Sequence, residues 1–210
     1  MVNYLELFSG FASVGQEFKN NGHNVFTIDN NKSFNPDLVK DIMEITIDDI
    51  PFYPDIIWAS PPCQCFSVAS ISTHWDGGKL AYVPKTEACR NSLQLIEKTL
   101  SLILELSPKY WFIENPRGVL RKVGVMKYLP KKTVTYCQYG DTRMKPTDIW
   151  TNCDILTPRP MCHNGDSCHE SAPRGSKTGT QGISNRADRA RIPEELCKEI
   201  YEVCMNGSYK

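Results

Sequence analysis

Three short stretches carry residue types that do chemistry. In ASPPCQCFS, Cys63 follows Pro61 and Pro62 at the end of the apolar run DIIWA. A thiol on the turn after a buried strand faces the ligand edge of a sheet, and a thiolate is a good carbon nucleophile. In WFIENPRG, Glu114 ends a second apolar run and Asn115-Pro116 forces a turn. A carboxyl at the same edge as a thiol is the constellation expected for addition to a heterocycle, acid and nucleophile together. In CQYGDTRMKPTDIWTN, Arg143 and Lys145 alternate on a short loop, so both can point the same way. Each stretch also has a plain reading. A free cysteine is commonly a small buried residue, a strand-end glutamate is commonly solvated, and two loop cations commonly decorate a surface.

A fourth stretch, LELFSGFASVG, runs from an apolar strand into Gly10, with Gly15 five residues on. Such a turn lets backbone approach a ligand before a helix starts. The G-x-G-x-x-G spacing of a dinucleotide fingerprint is absent, which argues against a dehydrogenase. Asp29 ends VFTID about 20 residues after the glycine turn, where a ribose diol would be held. Asp41 is a third acidic residue at a plausible strand end. The three together suggest a nucleoside-bearing cofactor with ribose and base contacts and no phosphate cradle.

These residues need a scaffold that gathers them. VNYLELF, NVFTID, DIIWAS, YWFIEN and TVTYC each read as a buried strand ending in polar or small residues. Between the third and fourth, Leu93, Ile96, Leu100 and Ile103 recur at spacings of three and four, which predicts an amphipathic helix. Alternating strands and helices predict an α/β fold with a parallel sheet covered on both faces, whose strand ends bind ligands. The catalytic and cofactor-binding domain is expected over residues 1–152. The segment 153–190 is rich in Pro, Gly, Ser, Thr, Cys and His and lacks apolar periodicity. It is expected to be a long functional loop or a small metal-stapled insert. Residues 191–210 return to helix, with Leu196, Ile200 and Val203 on one face, and are expected to dock back on the α/β domain.

With 210 residues, 40% of them hydrophobic, there is enough for a real core. Lys plus Arg equals Asp plus Glu at 24 each, so any nucleic-acid surface must be local. MVNYLELFSG lacks a secretory pattern and the apolar helix carries charges, so a soluble protein of a reducing cytoplasm is expected. Nine scattered cysteines then point to catalysis or metal before disulfides.

FSGFASVG, PPCQ followed by FS, ENPRG and YGDTRMK, in that order, resemble the cytosine-C5 DNA methyltransferases, particularly compact phage and prophage members. The resemblance covers about residues 4–152 and, more faintly, the last helix. It implies a Rossmann-like methyltransferase fold, S-adenosylmethionine as cofactor and DNA as partner. It implies methylation of cytosine at carbon 5 through a covalent adduct of Cys63 at carbon 6. Glu114 would hold ring nitrogen 3, with Arg143 and Lys145 in support. Phe8, Ser9, Gly10, Phe11 and Gly15 would line the cofactor pocket, and Asp29 would take the ribose, with Asn30 in the same set. Asp41 and Ile42 would meet the adenine, and Pro61 the cofactor side of the nucleophile loop. Cys65 falls where the family varies and is expected to be packing. The alternatives are an RNA methyltransferase of the same family, which has a branch acting on transfer RNA, and a silent nucleic-acid-binding relative. A duplex substrate would have to flip its cytosine out.

The chain departs from the family in three places. The basic loop reads R-M-K-P-T where the family has a glutamine and two arginines. The large target-recognition domain is missing. RARIPEEL, with Arg189 and Arg191, replaces the family's Gly-Asn ahead of the last helix. A basic residue there would favour a cofactor or substrate with an extra negative group. In the insert, Cys153, Cys162, Cys168 and His169 offer a set of zinc ligands, with His163 spare; loosely buried thiols are the alternative. Arg174 and Lys177, with Arg186, Arg189 and Arg191, make a basic stretch that either contacts DNA or is a solvated loop.

Overall fold

The computed structural model describes residues 1–78, 81–170 and 185–206. The chain begins with β1 (Asn3–Leu7), α1 (Ser13–Asn20), β2 (Asn24–Asp29), β3 (Leu38–Val39) and β4 (Ile56–Ala59). A one-turn helix α2 (Ile71–His74) and a small hairpin, β5 (Trp75–Asp76) with β6 (Val83–Pro84), precede the long α3 (Glu87–Leu106). Then come β7 (Tyr110–Pro116), β8 (Lys131–Thr135), β9 (Pro146–Thr151), α4 (Arg186–Ala190) and α5 (Glu194–Asn206).

Seven strands form one sheet in the order β3-β2-β1-β4-β7-β9-β8. The first five run parallel, and β9 is antiparallel to both of its neighbours. The order reverses between β1 and β4, the switch point where doubly wound sheets leave a crevice beyond the strand ends. The central strands are buried on both faces, and their side chains alternate between two cores. Leu5, Leu7, Ile57, Ala59 and Ile113 join the α3 residues Ile96, Leu102, Ile103 and Leu106. Tyr4, Ile56, Trp58 and Phe112 join Val14 and Phe18 of α1 and Leu196, Cys197, Ile200 and Cys204 of α5. The result is three layers with helices on both sides of a mostly parallel sheet.

α3 starts where the Thr86 side chain accepts the Cys89 amide, and it stops at Ser107, whose φ of 47° leaves the helical region. α5 packs on α1. Tyr201 meets Phe18 edge-on at 5.2 Å, Phe18 stacks on Tyr4 at 4.3 Å, and His23 Nε2 lies 3.3 Å from the Tyr201 hydroxyl.

Two elements differ from the sequence reading. TVTYC is strand only to Thr135, and Tyr136–Tyr139 form a one-turn 3-10 helix that turns the chain toward the sheet edge. The stretch read as a basic loop contains β9, because PTDIWT slots between β7 and β8 with Glu114 opposite Ile149. The described residues after β9 run across the α1–α5 side. Cys153, Leu156 and Cys162 are buried, and Arg159 lies 4.7 Å over the Tyr139 ring and pairs with Glu195 and Glu199 of α5. Among the described residues, no helix is long and apolar enough to cross a membrane.

Candidate active site

The C-terminal ends of β1, β2, β4 and β7 bring the chemical residues to one edge. Pro61–Ser67 follow β4 and are fixed at several points. Asn115 Nδ2 donates to the Pro61 carbonyl at 2.9 Å, the Val119 amide donates to the Phe66 carbonyl at 2.8 Å, and Trp75 Nε1 donates to the Cys65 carbonyl at 2.6 Å. A Cβ on Gly118 would fall 2.1 Å from the Phe66 carbonyl oxygen, so only glycine allows the β7 turn to lie against this loop. Cys63 is half-buried, and its carbonyl accepts the Phe66 and Ser67 amides. Cys65 is buried in the α3-side core. The two sulfurs of PPCQC therefore separate into an accessible one and a packed one.

Glu114 lies buried on β7 with its Oε1 accepting the Tyr136 hydroxyl at 3.0 Å. Lys145 Nζ is 3.9 Å from the same oxygen and 4.4 Å over the Tyr136 ring. Burial pushes the Lys145 ammonium below its usual pKa, opposed by the charges of Glu114 and Cys63, which both act on it. Its proton is therefore held more loosely than on a surface lysine. Arg143 lies 6.0 Å over the Tyr136 ring but is paired with its own loop. Its Nε bonds both Asp141 oxygens at 2.8 and 2.9 Å, and Nη1 donates to the Arg189 carbonyl at 3.1 Å. Lys145 Nζ donates to that same carbonyl at 3.1 Å. The pair expected to act together thus divides, with Lys145 beside Glu114 and Arg143 bracing the loop.

The glycine turn bends through left-handed backbone at Phe8, Gly10 and Ala12, with φ of 54°, 49° and 49°. Asp29 ties it down, since Oδ2 accepts the Gly10 amide at 2.9 Å and Oδ1 the Asn31 amide at 2.8 Å. Gly10 has open space on its Cβ side, and Ser9 Oγ is buried with no partner. Gly15 opens α1 beneath the turn, donating its amide to Glu6 Oε2 at 2.7 Å. Asp41 caps a short turn through the Met43 amide and is exposed beside exposed Asn30, while Ile42 is buried. Phe11 is exposed, and the Arg191 guanidinium sits 3.5 Å over its ring. Arg191 also pairs with Asp188 at 3.4 Å, so this cation is engaged by an aromatic ring and a carboxylate of its own segment.

The proposed metal ligands are rearranged. Cys162, Cys168 and His169 come together, and their fourth companion is Cys137. Cys153 is not among them: two residues past β9, it points into the α5-side core with Leu156 and Cys204. His163 is exposed and its amide bonds Asp166. Arg174 and Lys177 lie outside the described residues, and Arg186 is described by its backbone alone.

Several residues at the site escaped the sequence reading. Tyr136 and Cys137 were hidden in an apparent strand. Asn115 looked like a turn former, and Glu6 lay unremarked within VNYLELF. Glu6 is in fact fully buried, and burial pushes its carboxyl up to about 8 against the Gly15 and Tyr4 hydrogen bonds. Only its position within LELFSG, one residue from the turn, could have signalled it.

Residues 2–128 match the family model of the C-5 cytosine-specific DNA methylases. The chain is 29% identical over 219 residues to a probable DNA (cytosine-5)-methyltransferase of Frog virus 3 (isolate Goorha), a match covering 97% of this chain and 100% of that one. Among solved structures it resembles a putative DNA modification methyltransferase encoded within an E. coli prophage, with a TM-score of 0.54 and 16% identity. It also resembles the Entamoeba histolytica methyltransferase EhMeth, with a TM-score of 0.54 and 18% identity. These matches take in 77% and 79% of this chain but only 52% and 57% of those, so it spans little more than half their length. Sharing their fold, and matching the family model over more than half its residues, the chain belongs to the C-5 cytosine-specific DNA methylases.

Proposed function

We propose that the reaction of this family, methylation of DNA cytosine at carbon 5, is performed here with Cys63 as nucleophile and Glu114 and Lys145 as its polar support. The observation that carries the assignment is the joint setting of three groups. Cys63 lies on a loop held by Asn115, the neighbour of Glu114, and Lys145 Nζ lies 3.9 Å from Glu114 Oε1.

Carbon 5 of cytosine is a feeble nucleophile. Addition of the Cys63 thiolate at carbon 6 makes the ring an enamine whose carbon 5 can attack an electrophile. A proton shared between the Glu114 carboxyl and ring nitrogen 3 neutralises the negative charge that thiolate addition places on the ring, and the buried setting strengthens that contact. Tyr136, donating to Glu114 Oε1, fixes the carboxyl's orientation. Lys145 compensates the carboxylate and, while protonated, favours the thiolate. With the methyl group on carbon 5 and the demethylated cofactor as leaving group, transfer of the carbon 5 proton to a water molecule and expulsion of the Cys63 thiolate restore the aromatic ring. Arg143 positions the loop through Asp141 and the Arg189 carbonyl.

The glycine turn suits S-adenosylmethionine, because unpartnered Ser9 Oγ and the open side of Gly10 leave a polar cradle free. When bound, that cofactor supplies an electrophilic methyl group. Phe8, Ser9, Gly10, Phe11 and Gly15 would line its pocket, Asp29 and Asn30 the ribose, Asp41 and Ile42 the adenine, and Pro61 the methyl side. The DNA is proposed to be duplex, with the target cytosine flipped into the pocket. A small recognition element within 153–190 would stand in for a larger domain, and 191–210 would close the catalytic unit.

Duplex DNA carrying 5-fluorocytosine, incubated with S-adenosylmethionine, tests this, because fluorine at carbon 5 blocks release of the adduct. Wild type and Cys65→Ala should form a denaturation-resistant complex, and Cys63→Ala none. An adduct that survives Cys63→Ala overturns the assignment. A parallel trap with 5-fluorocytosine RNA should give no complex.

A further inference from the structure

Beside the basic loop, and apart from the residues at Cys63 and Glu114, four donor atoms from three chain segments converge. Cys168 Sγ is 3.2 Å from Cys162 Sγ and 3.7 Å from Cys137 Sγ. His169 Nδ1 is 3.1 Å from Cys162 Sγ and 3.8 Å from Cys168 Sγ. All four ligand atoms lie within 4.8 Å of one another. A zinc tetrahedron with ordinary bond lengths has edges of about 3.8 Å between sulfurs and about 3.5 Å between sulfur and nitrogen. The sulfur–sulfur separations of 3.2 and 3.7 Å reach up to their edge from below, and the sulfur–nitrogen separations of 3.1 and 3.8 Å lie on either side of theirs. We propose that Cys137, Cys162, Cys168 and His169 form a structural zinc site.

Two further observations favour a metal over a cluster of packed thiols. The group is only part-buried: Cys137 and Cys162 are inside, His169 is half-buried and Cys168 is exposed. Core packing gives no reason to crowd an exposed thiol against two buried ones, whereas a metal reached from solvent needs that arrangement. Three thiols and an imidazole are also a soft, compact donor set that suits zinc and disfavours magnesium or calcium. Closed by four protein ligands, the site leaves no position for substrate and reads as structural.

The ion would do mechanical work at a specific place. Between β9 and residue 170 the chain has no helix or strand, so it is held by scattered contacts such as the Arg159 ion pairs and the Cys162 amide, which donates to Thr135 Oγ1 at 3.0 Å. Cys137 belongs to the same turn as Tyr136, which bonds Glu114. Zinc would fasten residues 162–169 to that turn. The Glu170 amide already donates to the Thr142 carbonyl at 2.9 Å, on the loop that carries Arg143 and Lys145. The ion would therefore fix where the chain leaves for residues 171–184, beside the catalytic edge. A metal can supply the folding energy that so small and irregular a segment lacks.

The test is metal analysis of the full chain purified without a polyhistidine tag. Wild type and Cys153→Ser should each carry about one zinc per chain, and Cys137→Ser and Cys162→Ser should fall several-fold below that. Cobalt(II) exchanged into wild type should give tetrahedral d–d bands and thiolate-to-cobalt charge transfer, a readout that does not depend on variants folding. Zinc-free folded wild type, iron in its place, or cobalt without the thiolate band overturns the proposal. So does a Cys162–Cys168 disulfide in the freshly purified protein, or zinc that survives Cys137→Ser and is lost from Cys153→Ser.

Discussion

At Lys145 and Arg143, two cations one residue apart have opposite duties. Lys145 is nearly enclosed and directed at Glu114, whereas Arg143 is consumed by Asp141 and a carbonyl. Lys145→Ala should lower kcat on the order of 10²-fold, the typical effect of removing one preorganised electrostatic contact, with KM for the cofactor little changed. Arg143→Ala should instead act chiefly on stability, since it leaves Asp141 without its partner. Steady-state kinetics and thermal melts on both variants separate the two. Glu6 offers a pH test. Its folded pKa of about 8 exceeds the ordinary carboxyl value, so its contribution is fully present below that ordinary value and is lost as pH rises through about 8. The melting temperature should decline across that interval. Glu6→Gln, which keeps an acceptor for the Gly15 amide, should flatten the decline and be the more stable protein at pH 8.

At the scale of elements, β9 decides how Glu114 is held, and it also set the limit of what could be read in advance. Its Asp148 is fully buried, with Oδ1 accepting from Arg121 Nη2 and Thr133 Oγ1, both at 2.8 Å. Burial raises the Asp148 pKa despite that partner. Arg121→Ala strands a carboxylate in the sheet and should cost about 3 kcal/mol in denaturant unfolding, with Asp148→Asn recovering part of the loss in the double variant. A strand that begins with proline and carries a buried aspartate breaks the apolar pattern by which strands are recognised, so PTDIWT read as loop. β1, β2, β4, β7 and α3 follow the ordinary periodicities and were legible, and so was the sheet edge to which β4 and β7 lead the Cys63 and Glu114 segments. What stayed hidden depends on contacts far apart in sequence, such as Asn115 with Pro61 or Cys137 with Cys162 and Cys168. No local spacing announces that a cysteine in the turn after β8 shares a cluster with two others in a later loop.

For the whole molecule, equal numbers of acids and bases mean that no global field draws it to DNA. Affinity must come from a few local phosphate contacts, so the logarithm of the binding constant should fall only gently with the logarithm of salt concentration. Arg174→Ala with Lys177→Ala should weaken binding to matched and mismatched duplexes alike and leave the melting temperature unchanged, as fluorescence anisotropy and calorimetry would show. The sheet also divides the site by rigidity. β7 is paired on both flanks, with Ile113 between Ala59 of β4 and Trp150 of β9. The Cys63 segment beyond β4 belongs to no strand of the sheet and is tied at separate points. Amide hydrogens around Glu114 should therefore exchange only on global unfolding, and those from Gln64 to Ser70 through cheap local openings. If so, the proposed carboxyl partner sits on the slowly exchanging strand and the proposed nucleophile on the faster-exchanging segment beside it.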